Sequence, residues 1–125
     1  MKKIILLFCC LFAVTAYAQT ANDLAIQLSG VQKVNEVSIP QVLDFPKLLT
    51  NDKAYTIISY KLTVLPADAT TPTSFVVKDN KMPQEAIIYL RSLIGKKGKL
   101  FFENIIVSKA GQQRIASSLT YSFNQ

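Results

Sequence analysis

The stretch GKKGKLFFENIIVSKAGQQRIASSLTYSF, residues 95–123, decides the fold class. A basic turn with two glycines leads into a strand, a second turn and a closing strand. Lys99 to Ser108 is predicted to form one arm of a hairpin. Ala110-Gly111 makes its turn, and Gln113 to Phe123 forms the other arm. Leu119, Tyr121 and Phe123 alternate with Thr120 and Ser122, so one face is apolar and the other wet. Phe101 and Phe102 must face opposite sides of their strand. One is core. The other is covered by a helix, lies on a second sheet, or stands exposed and marks an interaction patch.

Upstream of this hairpin lies a helix, predicted over residues 83–94. Pro83 suits the first helical position, where its missing N–H is no loss. Glu85 sits in the first turn, where an acid complements the helix dipole. Ala86, Ile87, Leu90, Leu93 and Ile94 recur at three- and four-residue spacing and make one apolar stripe. Gly95 is a natural left-handed stop, with Lys96 and Lys97 at the carbonyl end. A helix of three turns cannot bury such a stripe alone, so it must pack on a sheet.

The strongest strand is Ala54 to Leu65, AYTIISYKLTVL. Ile58, Tyr60, Leu62 and Val64 fall on one face; Ser59, Lys61 and Thr63 fall on the other. Tyr55 and Ile57 carry the opposite parity. A bulge near Ile57–Ile58 produces such a shift, and so does burial on both faces. Pro66 ends the run. Ser74 to Lys78 is a short strand stopped by Asp79-Asn80. Residues 38–53 hold Pro40 and Pro46, which neither a central strand nor a long helix tolerates together. They read as a loop with a short helical turn near Gln41–Asp44. Asp23 to Leu28 reads as a first, edge strand, and Val31, Val34 and Val37 as an irregular extended segment. The expected class is mainly β: a β-sandwich of immunoglobulin-like kind with one short helix packed on a sheet.

Residues 1–18 read as an export signal. Lys2 and Lys3 form a basic start, Ile4 to Val14 is apolar, and Ala16-Tyr17-Ala18 is a small-x-small cleavage site. The apolar run is shorter than the roughly 20 residues of a membrane span, although an uncleaved anchor is the alternative reading. Cys9 and Cys10 sit inside this run, where no lipid attachment occurs. Residues 19–125 then form a single domain of 107 residues, 125 less 18, in the periplasm or outside the cell. That domain has neither thiol nor imidazole, so no disulfide, metal or cofactor is expected. Removing Lys2 and Lys3 from 14 basic residues leaves 12 against 8 acidic ones, a net charge of +4. Only Arg91 and Arg114 are arginine, the better reader of phosphates. Nucleic acid is not the expected partner.

Catalysis fails on inventory. Without His or Cys there is no imidazole-containing triad, thiol nucleophile or imidazole metal site. The acids are scattered along the chain, and no Ser-x-x-Lys is present. Glu103 and Asn104 lie mid-strand, facing solvent or a partner. The candidate partner-binding residues are Lys96, Lys97 and Lys99, which bracket Gly98. They can attract an anionic partner. Equally, they can be a helix end followed by a solvated turn.

Residues from about Val37 to Phe123 resemble the C-terminal periplasmic β-domain of the gliding-motility protein GldM. The features that carry the resemblance are the strand IISYKLTV, a short strand and a Pro-capped helix. They continue with GKLFFENI, the turn AGQQRI with its downstream Arg, and the closing strand LTYSF. The resemblance implies a β-sandwich-like domain and a role in the cell envelope. GldM-like proteins form the periplasmic shaft of the type IX secretion and gliding machinery and work by protein contacts. This sequence looks like a free-standing copy of one such domain, so a motor role is not inherited. At the resembling positions Gly98, Glu103, Asn104, Gly111 and Arg114 the first reading is structural. The expected function is a non-catalytic module that binds an envelope protein through sheet edges or loops. The alternative is a binding protein for an acidic glycan or lipid head group, centred on Lys96–Lys99. The export reading predicts that intact-mass measurement of native protein gives a chain starting at Gln19. A membrane-bound form keeping residues 1–18 would refute it.

Overall fold

The computed structural model describes residues 24–29 and 35–124. The export signal and the segment around Val31 and Val34 lie outside the described residues. Among the described residues the architecture is mainly β, with two sheets and two short helices. The elements in chain order are β1 (Ile26–Leu28), β2 (Glu36–Val37), α1 (Ile39–Asp44), β3 (Leu48–Thr50) and β4 (Thr56–Pro66). β5 (Thr73–Lys78), α2 (Gln84–Arg91), β6 (Lys97–Lys109), β7 (Gln112–Ile115) and β8 (Leu119–Asn124) follow. The large sheet has the order β2-β8-β6-β4-β5, with β7 also paired to β6. Only the β2–β8 pair is parallel. β1 and β3 form a separate antiparallel ribbon.

Alternation along the strands puts Leu62, Val64, Leu100, Phe102, Tyr121 and Phe123 on one face of the large sheet, all buried. Ile39 and Val42 of α1, Ala86 and Leu90 of α2, and Leu28 and Leu48 of the ribbon complete the same core. Phe75 of β5 meets Tyr89 of α2 with ring centroids 5.8 Å apart, which places α2 over the β5 side. The Leu28 N–H donates to the Tyr121 hydroxyl at 3.1 Å, which places the ribbon over β8.

Two bulges face each other in the central pair of strands. Ile57 pairs with Val107 but Ser59 with Ile106, so Ile58 is an extra residue on β4. Ser59 pairs with Ile106 but Lys61 with Glu103, so β6 carries the compensating extra residue. Asn104 takes up the second bulge with φ of 51°. The parity change at Ile57–Ile58 is therefore a bulge. It lets Ile57 and Tyr60, three apart, both point into the core, and Ile105 follows Phe102 inward in the same way. The arm expected over Gln113 to Phe123 is divided at this level. β8 pairs with β6 before the bulge, β7 pairs after it, and the Ala116 N–H reaches the Ile105 carbonyl between them at 2.8 Å.

The helices are shorter than the apolar stripe implies. α2 ends at Arg91, and residues 92–95 form turns. Pro83 is its N-cap and not its first helical residue. α1 is the short helical turn expected near Gln41–Asp44. A capping box fixes it: the Ser38 Oγ accepts from the Gln41 N–H, and the Gln41 Oε1 accepts from the Ser38 N–H. Asp79-Asn80 and Ala110-Gly111 are two-residue hairpin turns with both central residues at positive φ, as type I′ requires.

Asn104 is exposed, so its side chain contributes little packing and its backbone conformation decides the residue. A β-branched side chain at positive φ is strained by about 1–2 kcal/mol. Asn104→Val should lower stability by that amount in urea unfolding, and Asn104→Gly should leave it at or above wild type.

Candidate binding surface

The face of the large sheet turned away from the core is uncovered by any described element. Its middle rows run Thr120, Phe101, Thr63, Ser74 and then Glu103, Lys61, Val76 across the strands. Lys99 stands between Ser122 and Leu65 at one end. Ile106 stands between Ile115 and Ser59 near the other. Thr63 is buried by its neighbours on this otherwise open face, and its Oγ1 lies 3.0 Å from the Ser74 Oγ. Val76 is 65% exposed and Ile115 is 59% exposed. Phe101, Leu65 and Ile106 are half-buried. Phe102 is therefore the core member of the aromatic pair, and Phe101 lies on the open face.

The three lysines singled out in the sequence are exposed. Lys97 and Lys99 share the open face with Phe101. Lys96 stands apart from them, just after Gly95. Gly95 is left-handed, with φ of 89°, but it closes the turn at 92–95, and the helix itself ends earlier, at Arg91 with Ser92 as its C-cap. Gly98 has a different task. A Cβ there would come within 2.6 Å of the Leu65 carbonyl oxygen and of the Phe123 ring, and within 2.8 Å of the Pro66 Cα. The glycine lets β4, β6 and the core aromatic approach closely.

Sequence reasoning did not single out Lys61, Val76, Lys78 or Ile115 for this surface. Alternation did place Lys61 opposite the apolar face of its strand. The strand order, absent from any local pattern, brings it beside Val76 and Glu103.

The edges of the sheet are poorer docking places. β2 has two residues and is followed at once by α1. Among described residues β5 pairs only with β4, and Lys81 turns back to bridge Lys78 at its end. Short, lysine-bearing edges resist strand addition. β7 offers four exposed residues on its free side.

Tyr60 is the one described buried side chain whose polar atom lacks a hydrogen-bond partner. Burial pushes its phenol well above the usual range, so it stays neutral. Its ring packs on Phe102 at 5.7 Å, within the core and away from the open face. Among the described residues no three acidic side chains come together as a metal site would need. No described helix is long and apolar enough to cross a membrane.

No protein-family model, no curated protein and no solved structure matches this chain.

The basic turn thus separates into a packing glycine and solvated lysines. Gly98→Ala should lower stability by about 1–3 kcal/mol through overpacking. Lys96→Ala, Lys97→Ala and Lys99→Ala should each stay within about 0.5 kcal/mol of wild type. Urea melts of the four variants check this division.

Proposed function

We propose that this chain is a non-catalytic binding and assembly module of the cell envelope, acting after export. We read it as a relative of the GldM C-terminal β-domain, in a type IX secretion or gliding setting. The observation that carries the binding reading is the uncovered sheet face with Val76 and Ile115 projecting from it. Apolar side chains on an open face are where a protein partner gains contact area. The absence of His and Cys after residue 18 supports a role without turnover. The sandwich-like reading, of immunoglobulin kind, is supported by the β1–β3 ribbon lying over the core face of the large sheet and bonded to Tyr121.

The test compares capture from native envelope extract by wild type, by Val76→Gln with Ile115→Gln, and by Ile88→Gln. Ile88 is exposed on α2, in the layer on the opposite side of the large sheet. The double variant should lose the partner, while Ile88→Gln keeps it. All three should melt together, since exposed substitutions change stability by about 0.5 kcal/mol or less. Capture unaffected by the double variant would overturn this assignment of the surface.

A further inference from the structure

We propose, resting on the reading above, that the open face receives an acidic polypeptide segment in extended conformation. The argument is one of charge and spacing. On the open face of the sheet stand Lys61, Lys78, Lys97 and Lys99, with two acids: Glu103 beside Lys61, and Glu36 on β2, across Ser122 from Lys99. Asp44, Asp52, Asp68 and Glu85 lie elsewhere, in α1, α2 and the loops, Asp52 is held 3.6 Å from Lys109, and Asp79 stands in the turn just after Lys78. The face therefore carries a net excess of two positive charges, four lysines against Glu36 and Glu103, around uncharged hydroxyl and apolar groups.

The four lysines fall into two pairs. Lys97 and Lys99 are two residues apart on one strand, about 7 Å. Lys61 lies four residues along β4 from Leu65, the partner of Lys99, which puts it about 14 Å from Lys99. Lys78 pairs with Ser59 one strand further on, about 20 Å from Lys99. An extended chain rises about 3.3 Å per residue, so a segment of about six to eight residues spans both pairs. Between them lie Phe101, Thr63 and Val76, which offer contact to uncharged and apolar side chains. A polyanion charged at every unit would set unpaired charge over Phe101 and beside Glu103. A polypeptide with acids toward its ends and apolar residues between matches the face. Opposite potentials across such a contact steer encounter and fix register.

The test uses a fluorescent eight-residue peptide with two glutamates at each end and leucine, serine, valine and serine between. Its binding to the full chain is followed by anisotropy. We expect saturable binding that weakens at least about tenfold between about 0.01 M and about 1 M salt, across which charge screening becomes severe. Lys97→Glu with Lys99→Glu, and separately Lys61→Gln with Lys78→Gln, should each weaken it by about tenfold or more. Lys47→Glu with Lys53→Glu, exposed positions flanking β3, should not change it. Melting curves check that all variants stay folded. No saturable binding, equal losses in the Lys47 and Lys53 variant, or tighter binding of polygalacturonate than of the peptide overturns the proposal. If the peptide fails while the extract partner is still lost in Val76→Gln with Ile115→Gln, the binding surface stands and its acidic partner falls. If both tests fail, the binding reading falls with it.

Discussion

The fold depends on two bulges set against each other at the centre of the sheet. Ile58 is extra on β4, and Asn104 takes the left-handed turn that adds a residue to β6. In an uninterrupted pair of strands, Ile57 and Tyr60 could not share a face, nor could Phe102 and Ile105. With both bulges present the register is regained on either side, and all four side chains enter one core. The strands flanking β6 respond to the same defect. β8 stops pairing at Phe102, β7 resumes at Ile106, and the chain crosses between them at residues 116–118.

That core is one-sided, and polar groups hold its cover in place. The Asn80 side-chain amide accepts from the Leu48 N–H at 3.0 Å and donates to the Leu48 carbonyl at 2.8 Å, as a neighbouring strand would. Asn51 does similar work at the other end of the ribbon, accepting from the Ala25 N–H at 3.0 Å. Backbone groups at the rim of a short ribbon are thus satisfied by side chains from turns. The same left-handed backbone that makes Asp79-Asn80 a tight turn aims the Asn80 amide at β3. The Tyr60 hydroxyl is the exception to this economy, a buried group held by ring packing with Phe102.

Covering one face leaves the other to solvent, and its composition bears on function. A purely solvated sheet face is expected to be polar throughout. This one mixes hydroxyl rows, separated lysines and projecting Val76 and Ile115. The sheet edges are short or guarded by lysine, so the face is the larger place for a partner. The binding role is our reading of these features together.

Much of this was legible in the chain. Alternation named β4 and the closing strand of the C-terminal hairpin, and a short apolar run stopped by Asp79-Asn80 named β5. Ala110-Gly111 marked its turn, the parity change marked a bulge near Ile57–Ile58, and the apolar stripe marked α2. These are local signals, and local conformation carries them. The Asn104 bulge was not legible, because asparagine in a strand also fits a solvent-facing position. Nor was the division of residues 113–123, which follows from the neighbour's bulge and not from their own pattern. α2 stops at Arg91, before its apolar stripe does, and residues 92–95 turn the chain toward Gly98, which sits against Leu65 and Phe123. The open face belongs wholly to tertiary structure. Alternation says which side chains share a side of their own strand. Only strand order and register bring Lys61 and Lys78 onto the same face as Lys97 and Lys99, and only packing decides which face the helices cover.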